Sequence, residues 1–381
     1  MSVEAYDPIA NPYAPGAGTP PPELVGRDQV IEDAEVAMRR VVSARTSQHQ
    51  LITGLRGVGK TVLLGKLTAL AEHIGYRVVR VEAVGGDDTL RTLLRQARRI
   101  VEDLDRGAGR ALRSIESVSL TVAGTGLSVD RFDTTPDREA LADVIVEMGR
   151  VAAERDAGVM IAIDEAQMVE PHDLRRILAG VHRCNQDGLP VFIALAGLPN
   201  LMGVVASAST YAERMFRVTD LGPLTPQQVA QAVTVPAEEL GVTWSPEATD
   251  AIVDHSDGYP FFVQTWAYHT WNAAHDEPIS EEDVGRASAN ASTALDSSFF
   301  AARTSRIPAS EVSYVQALAS LGPGPHRSGD VAEAAGKTTS QVAAFRDRLI
   351  REGLIYAPRY GWVEFAIPHF DVFVRRALPV D

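Results

Sequence analysis

The stretch GLRGVGKT, residues 54–61, constrains the fold more than any other part of the sequence. It matches the pattern G-x-x-x-x-G-K-[ST], whose glycines let the backbone form a nest of N–H donors around phosphate groups. The lysine of this pattern reaches the β and γ oxygens of a nucleotide, and its hydroxyl residue ligates Mg²⁺. A strand, QLIT, precedes the stretch and a helix follows it. The sequence predicts a phosphate loop made of Gly54, Leu55, Arg56, Gly57, Val58, Gly59, Lys60, Thr61 and Val62.

Four short apolar runs alternate with amphipathic helical segments in the first part of the chain. The runs are QLITG, YRVVRVEA, GVMIAIDEAQ and LPVFIALAG. Such alternation is typical of an α/β fold, in which helices cover a parallel sheet. A further stretch, SIESVSLTVAGTGLSVD, alternates about a Gly-rich turn and predicts an inserted β-hairpin.

The run GVMIAIDEAQ ends in two adjacent acids. Asp164 at the strand tip would hold the water shell of Mg²⁺, and Glu165 would polarise the attacking water. An Asp-Glu pair after a strand can also serve only as a cap, but its place downstream of a phosphate loop favours the catalytic interpretation. We therefore expect ATP and Mg²⁺ as cofactors, with Thr61 and Asp164 as metal ligands and Lys60 and Glu165 as catalytic residues.

Length, cysteine content and charge limit the class of protein. A chain of 381 residues can form two or three domains, and its single cysteine excludes an internal disulfide and suits a reducing compartment. The N-terminus lacks the basic and apolar regions of a signal peptide, and no apolar run approaches the ~18 residues that span a bilayer. We expect a cytoplasmic protein without a membrane partner. Its net charge of −14 argues against nucleic acid covering the whole surface.

Composition and periodicity divide the chain into five segments. Residues 1–22 are rich in Pro, Gly and Ala and predict a disordered tail. Residues 23–222 form the α/β core, and 223–300 contain only helical patterns, which predict a helical lid domain. Residues 301–310 are the predicted linker. Residues 311–381 show helix, helix, turn, helix and two strands, the order of a winged-helix domain.

These motifs together resemble the AAA+ and STAND ATPases, and most closely the branch joining archaeal-type ATPases with origin-recognition initiators. The resemblance covers roughly residues 23–300, and the winged helix extends it. LVGRD resembles the box that precedes the phosphate loop and packs on the adenine. GYP resembles the G-x-P element of STAND proteins, whose proline packs near the adenine. The resemblance implies nucleotide contacts by Val25, Gly26, Arg27 and Pro260.

The segment YAERMFRVTDLGPLTPQQ resembles the one that carries the AAA+ arginine finger, with Arg214 at the finger position. A guanidinium is always charged and binds phosphate oxygens in a fixed fork, which suits this role. In the family the finger usually reaches the nucleotide of a neighbouring subunit, which implies an ATP-dependent homo-oligomer. The alternative is a structural salt bridge between Arg214 and an upstream acid.

The chain departs from the AAA+ pattern at two sensor positions. A sensor Asn or Thr is expected after the strand VFIALAG, but the nearest polar residue, Asn200, lies late. The lid offers no sensor arginine, because no arginine occurs between Arg217 and Arg286. With the cleavage residues present and the lid sensor missing, the sequence favours a slowly hydrolysing nucleotide switch.

The third helix of the predicted winged helix, TTSQVAAFRDRLIREG, could enter a major groove while its cations meet phosphates. Two observations oppose this interpretation: Asp347 lies at the helix centre, and residues 311–381 hold eight Lys and Arg against eight Asp and Glu. Two partners therefore stay open, double-stranded DNA and another protein. The candidate nucleic-acid contacts are Lys337, Arg348, Arg351 and Arg359.

Overall fold

The structure is a computed structural model and describes residues 7–16, 18–84, 86–104, 141–305 and 307–378. The hairpin predicted at residues 114–130 lies outside the described residues. The chain forms two compact units. The sheet unit comprises residues 29–53 and 63–220, and the helical unit comprises residues 1–28, 54–62 and 221–381.

Five strands form the sheet, in the order β2-β3-β4-β1-β5. Their bounds are β1 His49–Gly54, β2 Tyr76–Glu82, β3 Gly158–Asp164, β4 Val191–Gly197 and β5 Phe216–Leu221. The pairs β1–β4, β4–β3 and β3–β2 are parallel, which confirms the predicted α/β class and its four strands. The prediction missed β5, because this strand buries only its two end residues fully and therefore has no apolar run.

Helices alternate with these strands, and β1, β3 and β4 bury every residue, as strands covered on both faces do. The core of the sheet unit is mostly aliphatic. No helix in the described part of the chain is both long and apolar enough to cross a membrane. The helices are α1 Asp28–Val42, α2 Lys60–Ile74, α3 Asp87–Leu104, α4 Leu141–Ala153, α5 Pro171–Gln186, α6 Leu201–Ala208 and α7 Ala212–Met215.

The middle of the helical unit consists of helices whose starts are fixed by their first residues. Thr225 and Ser245 cap two of them by accepting hydrogen bonds from backbone amides, and a proline follows each cap. The predicted linker is not a separate spacer, since it contains helix α12 and the buried side chain of Ile307. The elements are α8 Pro226–Glu238, α9 Pro246–Ser256, α10 Pro260–Ala273, α11 Glu281–Ala294, a π-helical turn Leu295–Ala301 and α12 Ala302–Thr304.

Residues 307–378, called the C-terminal module below, contain the predicted succession of three helices and a hairpin. Thr338 and Gln341 form a capping box at the start of the third helix. A two-residue strand and a last helix were not predicted, and the three strands pair antiparallel in the order β6-β8-β7. The elements are α13 Ala309–Ser320, β6 His326–Arg327, α14 Ser328–Ala334, α15 Thr339–Arg351, β7 Ile355–Tyr356, β8 Trp362–Phe365 and α16 Phe370–Ala377.

The prediction of disorder for residues 1–22 is wrong for residues 7–16, called the N-terminal strap below. The ring of Tyr13 is 2% exposed, and its hydroxyl donates a hydrogen bond of 2.5 Å to the Val233 carbonyl. The Asn11 amide donates to a backbone carbonyl of α10 at 3.0 Å. Burying one large ring and pairing its hydroxyl offset the entropy cost of ordering a segment that has no periodicity of its own.

The core of the helical unit contains two groups of aromatic rings among its aliphatic side chains. Tyr13 meets the rings of Trp244 and Trp271 edge to face, with centroids 6.0 and 6.2 Å away. A second group of rings joins the helices to the C-terminal module through edge-to-face, tilted and stacked pairs. Its members come from three distant parts of the chain and are Phe262, Phe299, Phe300, Phe370 and Phe373.

Candidate functional site

The phosphate loop lies between the end of β1 and the start of α2 and depends on its glycines. Gly54, Gly57 and Gly59 have φ values of +153°, +86° and +92°, which side chains rarely adopt. At Gly54 there is also no room, because a Cβ would lie 2.5 Å from the Leu221 carbonyl oxygen. The pattern in the sequence therefore reflects a backbone requirement.

Lys60 is held inside this loop. Its ammonium donates hydrogen bonds to the carbonyls of Gly54 at 2.9 Å and Leu55 at 2.8 Å. The residue as a whole is 7% exposed. Thr61 follows in the first turn of α2, and Val62 is half-buried behind it. A fixed cation at the N-terminus of a 15-residue helix is a ready site for phosphate oxygens.

The box Val25–Arg27 contacts the phosphate loop. The Arg27 guanidinium is buried and donates to the carbonyls of Val58 at 3.4 Å and Gly222 at 3.1 Å. Burial lowers the pKa of Arg27 from its ordinary value. Gly26 has φ +71° and Val25 is part of the core. Arg27 therefore links the phosphate loop to the residue that follows β5.

The tip of the loop also contacts the start of α10, where Pro260 is the first residue. The Phe261 amide donates to the Gly57 carbonyl at 3.3 Å. A Cβ at Gly57 would lie 3.6 Å from Phe261 Cβ and 3.5 Å from the ring of Phe299. Helix α10, at whose start the resemblance placed a nucleotide contact, thus reaches the loop through the residue next to Pro260.

Arg56 ties the loop to the C-terminal module. Its backbone amide donates to the Ala366 carbonyl at 3.0 Å, and its Nε donates to the Gly353 carbonyl at 3.0 Å. Gly353 is buried with φ +67°, and a Cβ there would overlap the Arg56 guanidinium. In the sequence Gly353 is only the glycine that follows the third helix of this module, and no local pattern points to its contact with Arg56.

The acid pair belongs to the sheet unit. Asp164 is the last residue of β3, is buried, and accepts a hydrogen bond of 2.9 Å from the Glu165 amide. Glu165 has φ +48° and ψ 38°, the left-handed region. Because β1, β4 and β3 are parallel neighbours, the ends of β1 and β3 lie at the same edge of the sheet, where such folds bind ligands.

Sequence reasoning missed Gln167, which contacts Glu165. Gln167 Nε2 donates to Glu165 Oε2 at 2.5 Å, and Gln167 Oε1 accepts from the Leu198 amide at 3.1 Å. The only signal in the sequence is the amide residue two positions after Glu165, in DEAQ. The end of β4, where a sensor side chain was expected, thus contributes a backbone amide.

The residues present fit Mg²⁺ better than a cation enclosed by protein alone. Within the described ranges, no group of three or more His, Cys, Asp or Glu could hold a metal ion. Mg²⁺ is usually held by one or two protein oxygens together with phosphate oxygens, and it prefers hard oxygen ligands. The hydroxyl of Thr61 and the carboxylate of Asp164 are oxygen donors of this kind.

Arg214 is exposed in α7, and none of the residues that the structure describes forms an ion pair with it.

The cations of the C-terminal module differ from one another. Arg348 Nε donates to Glu352 Oε1 at 3.0 Å and lies 3.7 Å from Glu311 Oε1, so carboxylates already surround it. The Arg359 guanidinium lies 3.8 Å from the ring centroid of Trp362. Arg351 is exposed and Lys337 is half-buried.

Comparison with known proteins gives two domain matches. Residues 23–194 match a family model described as an AAA ATPase domain, and residues 297–374 match a domain of unknown function. A search of curated proteins found no match.

Three solved structures cover nearly the whole chain. The Walker-type ATPase PABY2304 of Pyrococcus abyssi has 15% identity and a TM-score of 0.58, covering 94% of this chain and 97% of its own. Cdc6p from Pyrobaculum aerophilum has 16% identity and a TM-score of 0.48, covering 98% and 99%. The Aeropyrum pernix Orc1 protein, solved in complex with DNA, has 19% identity and a TM-score of 0.47, covering 93% and 95%.

The AAA ATPase match spans both the phosphate loop and the acid pair. Together with the five-stranded sheet and the P. abyssi structure, it supports a nucleotide-binding ATPase core with the AAA+ P-loop fold. At this level of identity the structural likeness concerns the fold alone.

Proposed function

We propose that this chain is an Mg²⁺-dependent nucleotide switch that binds ATP, hydrolyses it slowly and thereby controls a C-terminal winged helix. The observation that carries the proposal is the pair of hydrogen bonds from Arg56 to Ala366 and Gly353. They attach the C-terminal module directly to the loop that would hold the phosphates. A nucleotide that reshapes the loop therefore acts on the docking of the module, and docking acts on nucleotide affinity in return.

In the proposed reaction, the oxygen of water attacks the γ-phosphorus, the bond to the β,γ-bridging oxygen breaks, and ADP leaves. Glu165 accepts the proton that the water loses. Lys60 and the backbone amides of the loop stabilise the charge on the phosphate oxygens. Mg²⁺, held by Thr61 and Asp164, would neutralise the charge shared by the β and γ oxygens.

We expect slow turnover because the proposed lid lacks a sensor arginine. The segment between Arg217 and Arg286 contains no arginine, so the helices of the lid bring no guanidinium to the γ-phosphate from there. A switch of the AAA+/STAND kind needs only to discriminate between nucleotide states, and slow cleavage suffices to reset it.

Arg214 is the proposed source of ATP-dependent homo-oligomerisation. Its exposure, without an ion pair to any described residue, suits a finger that reaches a neighbouring copy better than a structural salt bridge. The test mixes Arg214→Ala with Lys60→Ala, since each variant supplies what the other lacks. Restored turnover supports a role in trans, whereas wild-type turnover of Arg214→Ala alone would make the residue structural.

For the winged helix we propose double-stranded DNA as the partner, contacted mainly by the hairpin of β7 and β8, the wing. Arg359 and Arg327 approach the Trp362 ring at 3.8 and 5.6 Å, and Tyr360 at the tip is fully exposed. Cations and an aromatic tip suit phosphates and a groove edge. The second candidate is a protein partner, which the carboxylates around Arg348 favour.

The switch is tested by hydrogen exchange at the amides of Leu354 and Ala366, measured without nucleotide, with ADP and with ATP and Mg²⁺. We expect ATP to change exchange there by about tenfold, the size of ordinary allosteric coupling. Gly353→Ala should remove most of this response, because its methyl overlaps the Arg56 guanidinium. An unchanged response in Gly353→Ala would contradict the proposed coupling.

Gly336→Ala is the matched control for that experiment. Gly336 has φ +65°, so alanine meets the same left-handed strain, but a Cβ there has no atom within 4 Å. The control should therefore respond to ATP like the wild-type protein. For DNA, duplex binding is titrated at low salt in each nucleotide state, and absence of binding in every state would replace DNA with the protein partner.

A further inference from the structure

A hydrogen-bond relay runs from the end of β4 to Glu165. The Leu198 amide donates to Gln167 Oε1, and Gln167 Nε2 donates to Glu165 Oε2, at 3.1 and 2.5 Å. Little space surrounds the first bond, since a Cβ on Gly197 would overlap Gln167 Oε1. Both ends of the Gln167 amide are therefore engaged, one by the backbone and the other by a carboxylate.

The relay limits how the Glu165 carboxylate can turn. The last torsion of a glutamate side chain is broad and roughly two-fold, so a carboxylate without such a contact samples many orientations. A general base must bring one oxygen within about 2.6–3.2 Å of the water that it deprotonates. With Oε2 held by Gln167, the end of β4 constrains the direction of the carboxylate through one of its two oxygens.

We infer that Gln167 is a positioning residue that orients Glu165 for water activation, and that the end of β4 acts on the reaction through it. This inference rests on the proposed function, in which Glu165 is the general base. The AAA+ resemblance leads one to expect a polar side chain after VFIALAG, and here the end of β4 instead offers the Leu198 amide, which is linked to Glu165 through Gln167.

The direct test is Gln167→Met, which keeps the length of the side chain and removes the amide. We expect kcat to fall by about 10- to 100-fold, the usual cost of misplacing a catalytic group by about 1 Å. The KM for ATP should change less than about twofold, because the phosphate loop is untouched. A residue with only a structural role would instead lower the thermal midpoint without this split between kcat and KM.

Gly197→Ala tests the relay from its other end. The added methyl displaces the Gln167 amide, along with Leu201 Cδ2 at 3.0 Å, without altering Gln167 itself. We expect the same fall in kcat. Gly203→Ala is the matched control, since a Cβ there meets no atom within 4 Å, and it should keep wild-type turnover.

The effects should not add. In a Glu165→Gln background, Gln167→Met should cost nothing further, because the residue acts through Glu165. Wild-type kcat in Gln167→Met would overturn the inference. A higher kcat would also overturn it, because it would mean that the Gln167 amide keeps the Glu165 carboxylate away from the attacking water.

If the wild-type protein shows no turnover, the proposed ATPase activity is refuted. The hydrogen bond between Gln167 and Glu165 can then still be tested by a separate measurement. The side-chain amide resonance of Gln167, identified by its loss in Gln167→Met, should then move in Glu165→Gln. An unmoved resonance would overturn the relay.

Discussion

The two units of the molecule have different kinds of core. The sheet unit buries mostly aliphatic side chains on strands that are each continuous in sequence. The helical unit buries rings that come from the strap, from α10, from the π-helical turn and from α16. Both cores bring distant segments together, but the strands of the first can be recognised as contiguous apolar runs, whereas the rings of the second are scattered along the chain.

The residues proposed to bind ATP and those proposed to cleave it also fall in different units. The acid pair belongs to the sheet unit, and the phosphate loop is grouped with the helical unit. Loop geometry depends on glycine backbone and on contacts to α10 and the C-terminal module, while Glu165 depends on a side-chain relay. Nucleotide binding and cleavage should therefore respond to different substitutions.

The largest expected effect separates these two activities. Lys60→Ala should abolish measurable ATP binding, since it removes the buried cation of the loop. Glu165→Gln should keep ATP affinity and lower kcat by about 10²–10⁴-fold, the contribution of a general base. Titration with a fluorescent ATP analogue, beside phosphate release, distinguishes the two. Equal loss of binding in both variants would mean that the activities are not separable.

The aromatic core is tested next. Tyr13→Ala should lower the free energy of unfolding by about 3–5 kcal/mol, because it removes a buried ring. Tyr13→Phe keeps the ring and loses only the bond to Val233, so about 1 kcal/mol is expected. Urea unfolding followed by circular dichroism gives both values. If Tyr13→Ala matched the wild-type protein, the N-terminal strap would not belong to the core.

The sheet unit has its own test, which depends on pH. His49 is fully buried, and desolvation lowers its pKa to about 4 against the opposing hydrogen bond with Asn185. The unfolded chain binds a proton near pH 6.5 and the folded chain does not, so stability is complete above pH 6.5 and falls as the pH drops towards 4.

Between pH 6.5 and 5 this histidine should cost about 2 kcal/mol of unfolding free energy. Its described neighbours Asn185, Phe192 and Phe216 are uncharged, so the slope belongs to the imidazole. His49→Gln should flatten the curve over this range, whatever its absolute stability. If the slope of stability against pH persists in His49→Gln, other titrating groups cause it.

The smallest effect concerns cations within the C-terminal module. Arg359→Ala should lower the slope of log affinity for duplex DNA against log salt by about one unit. Arg348→Ala should change the slope less, because its guanidinium is already paired with Glu352 and Glu311. Equal changes would show that α15 contributes as much as the wing.

Features that depend on contiguous residues are predictable from this sequence, and contacts between distant residues are not. The phosphate loop and β3 were predictable because their patterns are contiguous. Tyr13 was not, since Val233 lies 220 residues further along the chain. Gln167 was not, because its meaning depends on the amide of Leu198, 31 residues away. Arg56 was predicted as a nucleotide contact, but its bond to Gly353 spans 297 residues.

The aromatic core has a spectroscopic consequence. The four tryptophans of the chain are Trp244, Trp266, Trp271 and Trp362, and all of them belong to the helical unit. Intrinsic tryptophan emission is therefore a probe of that unit alone. A chain that released its N-terminal strap would change emission through Trp244 and Trp271, whereas a sheet unit that melted by itself would contribute no tryptophan signal of its own.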